Sequence, residues 1–423
     1  MTADPPVTIE HVRIDDEERV GLRLVDGLIA AVGTNVAAEP GDHVIDGSGC
    51  VAIPGLVNGH THAAMTLFRG FGDDLPLMQW LETKIWPAEA RLTPDDVYWG
   101  TRLACLEMVR SGTTNFWDMY WHGPEVARAV IDAGMRATVA SVFFDGADDA
   151  AGRAKRPEAI DALDALLAAT DTSPLVRAGL GPHAIYTVSG ASLTWLAELA
   201  ADRDLPVHIH LSETAAEVTD CVDAHGMRPA PYLDSLSLLG TTTVLAHGCW
   251  LDAAELHLVG ERGATIVTNP VSNLKLANGR IFPFDAARER RIPLGLGTDG
   301  ASSNNSLDLL QDVKTFALVQ KHAVDDPAAV DADTALAVAT GRSSPLLGGH
   351  DLVVGAPADV VLVRLDTPEI IPATGTSAVV YAATGAQVDT TIVAGRVLME
   401  HRRCDDIEEI LGQVRSRSDR LRG

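Results

Sequence analysis

The feature that most constrains this chain is an alternation. Short β-prone runs at 56–62, 113–119, 137–144, 176–182, 207–211, 243–248, 265–269 and 293–298 are separated by stretches with helical patterning, clearest at 157–169, 192–203 and 253–262. A helix between consecutive strands carries the chain back to its starting end, so such strands pair in parallel. Eight repeats fit a closed (β/α)8 TIM-type barrel of the α/β class; the alternative is a doubly wound open sheet. Outside this block, β-prone runs lie at 7–14, 20–25 and 28–32 near one terminus and at 359–364, 376–382 and 388–393 near the other. These terminal segments are expected to pair into a small β-sandwich of residues 1–55 plus 350–423, beside a barrel of residues 56–349.

Composition narrows what such a barrel can do. Hydrophobic residues make up 46% and charged residues 22% of the 423, enough for a large core and too little charge for a disordered chain. No apolar run approaches the ~18–20 residues a membrane helix needs. The start of the chain, MTADPPVTIEHVRIDDEE, has neither the basic nor the apolar region of a secretory signal. Five cysteines without a CxxC fit reduced thiols and a cytoplasmic enzyme. Acidic residues outnumber basic ones 58 to 33, a net charge of −25, so nucleic acid and anionic membranes are repelled rather than bound. Only five of the 33 basic residues are lysines. Acid excess with scarce lysine reads as a halophile's protein; the plainer alternative is an acidic cytosolic protein from a GC-rich genome.

Polar residues gather at the C-terminal ends of the expected strands, where barrel active sites lie. The first run ends Asn58-Gly59-His60-Thr61-His62. Residues two apart in a strand share a face, so His60 and His62 can hold a metal together. A lone HxH is more often structural, but the fifth run repeats it as His208-Ile209-His210, followed by Glu213. Of that pair, His210 is the better candidate ligand, being nearer the strand end, and His208 reads as a packed or supporting histidine. The sixth run ends at His247, and the eighth is followed by Asp299. Imidazole nitrogens with a carboxylate oxygen are a donor set that zinc accepts. One decoy is present: Gly295-Leu296-Gly297-Thr298-Asp299-Gly300 matches G-x-G-x-x-G. A dinucleotide site needs a second strand and an acid about 20 residues on, and residues 301–319 supply no strand.

PGLVNGHTHAAMTLFRG, VHIHLSET, LAHGCWL, TNPVSNLKLANG and LGTDGASSNNSLDLL, in this order, resemble the amidohydrolase superfamily. More closely they resemble its S-adenosylhomocysteine/5′-methylthioadenosine (5′-deoxyadenosine) deaminase family. The resemblance implies hydrolysis of a C–N bond in a cyclic amidine, converting adenosine-type nucleosides to inosine analogues and ammonia. Related branches act on guanine or chlorotriazines and remain the alternative. It implies one zinc ion per subunit, another divalent metal being possible, on His60, His62, His210 and Asp299. It further implies Glu213 as the acid protonating the purine, and His247 and Asp299 as catalytic groups around the attacking water. Glu89 would bind the ribose hydroxyls and His183 the purine ring, with Glu213 and Asp299 also touching substrate. No lysine lies at the end of the fourth run, where two-metal relatives place a bridging one. Homo-oligomers are implied as well. The family's carboxylate-binding arginines fall on Arg153 and, in departure from the pattern, on Ser141, so a preference for apolar 5′ groups is expected.

Overall fold

A computed structural model describes residues 5–14 and 19–422. Its strands are β1 (Val7–Val12), β2 (Val20–Val25), β3 (Leu28–Gly33), β4 (His43–Asp46), β5 (Cys50–Pro54), β6 (Leu56–Thr61), β7 (Thr113–Tyr120) and β8 (Arg136–Phe143), then β9 (Val176–Pro182), β10 (Val207–Leu211), β11 (Thr243–His247), β12 (Thr265–Thr268), β13 (Leu294–Leu296), β14 (Val360–Arg364), β15 (Val388–Val393) and β16 (Arg396–Met399). Strands β6 to β13 close into a barrel in chain order, each parallel to its neighbours, and β13 pairs with β6 to complete it. This is the (β/α)8 architecture read from the alternation; the open-sheet alternative is excluded by closure.

The remaining strands form two four-stranded sheets, ordered β3-β2-β1-β4 and β16-β15-β14-β5. Alternation along the strands explains how they dock. Val7 and Ile9 of the first sheet share a core with Cys50, Ala52, Val360 and Leu362 of the second. The neighbouring residues Val51, Ile53, Val361 and Val363 point the other way, into the barrel's own core. The second sheet is therefore apolar on both faces. Because β5 and β14 pair antiparallel, with Ala52 opposite Leu362, the two ends of the chain meet in it.

One expectation is corrected. Residues 376–382 read as a strand from their β-branched content, but Gly375–Tyr381 is a helix. Ala378, Val379 and Val380 are all buried in the barrel core. A strand would turn every second one outward; a short helix packed on helix Ala332–Ala339 buries the run, and packing overrides propensity. The chain ends in a helix, Ile407–Arg422, that lies on the barrel helix Pro94–Arg110, where Arg417 and Arg420 pair with Asp95 and Asp96. Among the described residues all five cysteines are free, and no helix is long and apolar enough to cross a membrane.

Candidate active site

The C-terminal ends of the barrel strands surround a cavity of about 1060 Å³. At its floor the structure brings together His60, His62, His210 and Asp299, and places His247 and Glu213 beside them. Each histidine is held by its outer nitrogen. His62 Nδ1 lies 2.6 Å from the Met119 carbonyl and His210 Nδ1 2.7 Å from the His183 carbonyl, both pure acceptors, so these nitrogens carry the protons. His60 Nδ1 lies 2.9 Å from His208 Nε2. The inner Nε2 atoms then present lone pairs to one point. His62 Nε2 is 3.3 Å from His210 Nε2, and Asp299 Oδ1 is 3.2 Å from His62 Nε2 and 3.4 Å from His60 Nε2. His60 Nε2 is buried with no hydrogen-bond partner.

This donor set fits a divalent metal. Opposed lone pairs about 3.3 Å apart repel unless a cation lies between them. Zinc–nitrogen distances of about 2.0–2.1 Å imply tetrahedral edges of about 3.3–3.4 Å, close to the separations found. The two candidate ligand groups, His60/His62/His210 and His60/His247/Asp299, share His60 and describe one centre. Burial pushes His60 down to about 3 and holds His210 well below its ordinary value, keeping both neutral as ligands must be. Burial also opposes charge on His62, but the Asp299 carboxylate 3.2 Å from its Nε2 lifts it to about 9, a value that a cation bound at Nε2 would lower. Burial works against ionised Asp299 as well; its close contacts with His60 and His62 outweigh it and hold the group well below the usual carboxylate range.

Close packing at the strand ends sets these positions. A Cβ on Gly297 would sit 2.7 Å from the His60 carbonyl oxygen and 2.4 Å from Asn269 Oδ1, so only glycine lets the eighth barrel strand pass the first at the ligand. The G-x-G-x-x-G match is thus explained by barrel closure: helix Leu309–Val324 follows it, and no second strand does. Asp299 itself is fixed by three donors, Ser272 Oγ at 2.7 Å, Ser303 Oγ at 2.8 Å and the Gly300 N–H at 2.8 Å.

Glu213 is buried, with Oε2 3.7 Å from His247 Nε2 and Oε1 accepting from Asn278 Nδ2 at 3.1 Å. Burial raises its pKa above the ordinary carboxyl value, and the Asp299 charge adds to this against His247 and Asn278. His247 Nδ1 is 2.8 Å from Asn273 Oδ1, which turns Nε2 toward Glu213. Glu89 lines the cavity and accepts from the Tyr120 hydroxyl at 2.7 Å, and burial raises its pKa too. His183 also faces the cavity, with Nδ1 2.9 Å from Thr187 Oγ1.

Two sequence readings part company here. Ser141 lines the cavity wall as expected, but Arg153 does not; it sits exposed on helix Asp149–Thr170, and Lys155 of that helix lines the cavity instead. Two residues along a helix turn a side chain by about 200°, which moves Arg153 off the wall. His208 points into the barrel one layer below His210, as a supporting histidine. Ser272, Asn273, Asn278 and Ser303 were not singled out from sequence. Lone hydroxyls and amides carry no spacing signal, although all four fall inside the motifs quoted above.

The amidohydrolase family model matches residues 51–398. A 5′-deoxyadenosine deaminase of Methanoregula boonei is 48% identical over 90% of this chain and 86% of its own length. A 5-methylthioadenosine/S-adenosylhomocysteine deaminase of Syntrophobacter fumaroxidans is 44% identical over 93% of this chain and 91% of its own length. Among solved structures, a zinc-bound adenosine deaminase from Xanthomonas campestris superposes with a TM-score of 0.92 at 35% identity, covering 99% of this chain and 98% of that one. The chain belongs to the amidohydrolase family.

Proposed function

We propose that this amidohydrolase is a zinc-dependent deaminase of adenosine-type nucleosides, among them 5′-methylthioadenosine, 5′-deoxyadenosine, S-adenosylhomocysteine and adenosine. Water adds at C6 of the purine, the exocyclic C–N bond breaks, and the inosine analogue and ammonia leave. The observation that carries the reading is Glu213: a buried carboxyl with a raised pKa, 3.7 Å from His247 and beside the histidine–aspartate cluster. The names of the relatives at 48% and 44% identity support the substrate class.

His60, His62, His210 and Asp299 would hold the zinc. Bound there, the metal supplies a water whose pKa falls from ~15.7 to about 7, a nucleophile at neutral pH. The rest is done by side chains. The purine ring is a poor electrophile until a ring nitrogen is protonated, and Glu213, whose pKa burial raises, would supply that proton. His247 Nε2 orients the attacking water. Asp299 accepts the water proton and passes it to the amino nitrogen, which leaves as ammonia. Glu89, held by the Tyr120 hydroxyl, would accept from the ribose hydroxyls, and His183, which lines the same cavity, would contact the purine.

Zinc-loaded protein incubated with these nucleosides should release ammonia, with the ultraviolet shift of an adenine becoming a hypoxanthine. Glu213→Gln should keep its zinc and lose about 10²-fold or more in kcat, the range of one general-acid step. Ammonia release from guanine, or chloride from a chlorotriazine, with no turnover of any adenine nucleoside would replace this reading by the alternative branch. Near-normal kcat in zinc-replete Glu213→Gln would remove Glu213 from the chemistry.

A further inference from the structure

We infer that Glu217 is a positioning residue for Glu213: its buried carboxylate clamps the backbone that presents the proton donor. The inference rests on the proton-donor reading of Glu213. Past the end of β10 the chain turns at Ser212, whose φ of 51° is left-handed and unfavourable for a non-glycine residue. Both peptide N–H groups of the turn donate to one side chain. Ser212 N–H reaches Glu217 Oε1 at 2.7 Å and Glu213 N–H reaches Glu217 Oε2 at 2.8 Å. The Ser212 carbonyl accepts from Trp250 N–H at 2.8 Å, which ties the turn to the loop after His247.

An ordinary helix cap does not account for this. Glu217 lies in the first turn of helix Ala215–His225, and its own N–H is already capped by Thr214 Oγ1 at 3.2 Å. The carboxylate instead reaches back past the cap to two donors outside the helix. Glu217 is only 3% exposed, and among the described residues no Lys, Arg or His forms an ion pair with it. A buried carboxylate without a cation is expensive. Here both of its oxygens are taken by the two N–H groups that set where Glu213 stands. A general acid must be held within hydrogen-bond reach of its target nitrogen, and small displacements of catalytic groups lower turnover steeply.

Three zinc-loaded variants and one double variant test this with 5′-deoxyadenosine. In Glu217→Gln the amide NH2 faces one of the two N–H donors and frees half of the clamp. The expected result is zinc retained, KM nearly unchanged and kcat lower by about tenfold or more, the pattern of an interaction that serves the transition state. Thr214→Ala weakens the start of the same helix and leaves the clamp alone, so its kcat should stay close to wild type. Adding Glu217→Gln to Glu213→Gln should cost nothing further, because Glu217 acts through Glu213. Glu217→Asp, which keeps a carboxyl group with two acceptor oxygens, should recover part of the loss. Wild-type kcat in Glu217→Gln, an additive loss in the double variant, or an equal loss in Thr214→Ala would each overturn the inference. So would failure of both Glu217 variants to fold with zinc, which would make the residue purely structural. If Glu213→Gln alone keeps full turnover, the proton-donor reading fails instead.

Discussion

His208 never reaches the candidate metal point, yet replacing it should weaken metal binding by a calculable amount. To use Nε2 as a ligand, His60 must carry its proton on Nδ1, and the acceptor there among the described residues is His208 Nε2 at 2.9 Å. His60 is fully buried and His208 is 1% exposed, so this bond is shut off from bulk solvent. In His208→Leu the metal-free protein has an escape: the His60 proton moves to Nε2, which faces Asp299 Oδ1 at 3.4 Å. Metal loading removes that escape and leaves a buried N–H unpaired. An unsatisfied buried donor costs about 1–3 kcal/mol, which at about 1.4 kcal/mol per decade is roughly 5–150-fold in affinity. That overlaps the ~10–100-fold typical of losing a ligand's outer partner. Competition against a chromogenic zinc chelator measures it directly. His208→Gln, whose side-chain carbonyl can accept the same proton, should recover much of the affinity. An unchanged zinc Kd in folded His208→Leu would refute the argument, because the His60 tautomer would then not depend on His208.

Three further outcomes are expected. With a net charge of −25 and five lysines, screening that shortens the Debye length from ~30 Å at 0.01 M to ~3 Å at 1 M should raise Tm strongly with KCl, and a flat curve would contradict the halophile reading. Buried Asp312 is pushed up to about 8 by desolvation, against donors from Asn304 and Val271. The fold therefore favours its protonated form and loses stability as pH rises from about 4 to about 8, so the Tm of Asp312→Asn relative to wild type should climb between pH 5 and 8 and level off above that, and a constant difference would show that Asp312 does not titrate there. With Ser141 on the cavity wall and Arg153 off it, kcat/KM should be higher for 5′-methylthioadenosine or 5′-deoxyadenosine than for S-adenosylhomocysteine, and Ser141→Arg should narrow the gap at low salt; equal values in wild type would reverse the assignment.

The barrel was legible because its strands are short apolar runs that end in polar residues. Seven of the eight runs end within one residue of the observed strands, and the last, 293–298, overshoots Leu294–Leu296 by two. The histidines were legible for a related reason: HxH at a strand end puts both rings near one mouth. Reading failed where the periodicity was ambiguous or the partner distant. Ala378-Val379-Val380 has strand propensity and a helix's environment. The helix Ile407–Arg422 went unread although Ile410, Val414 and Leu421 form its buried stripe. Arg153 against Lys155 depends on helix phase, which an alignment to strand ends does not supply. The residues that hold the site, Ser272 and Ser303 on Asp299 and Glu217 on the Glu213 turn, act through one or two hydrogen bonds each, and no spacing pattern marks those.

Those supporting bonds bear on why the site keeps its shape. Ser212, His247 and Asp299 are all non-glycine residues in the left-handed region, with φ of 51°, 76° and 60°. Each lies just past or at the end of a barrel strand, where the chain must leave the sheet and still turn a functional side chain inward. Such conformations cost about 1–3 kcal/mol each and persist only where surrounding contacts over-determine them. The contacts are present at each. Ser212 is clamped by Glu217. The Asn273 amide oxygen accepts from His247 Nδ1, and the following Gly248 N–H donates to the Leu211 carbonyl. Asp299 N–H donates to the His60 carbonyl, while its carboxylate takes the two serine hydroxyls. These partners belong to neighbouring strand ends or to the loops and first helical turns that follow the strands, so the closed barrel supplies the constraint and the segments after its strands supply the chemistry. A substitution that relaxes one turn, such as glycine at Ser212, should therefore relieve backbone strain and stabilise the fold while loosening the catalytic group beside it.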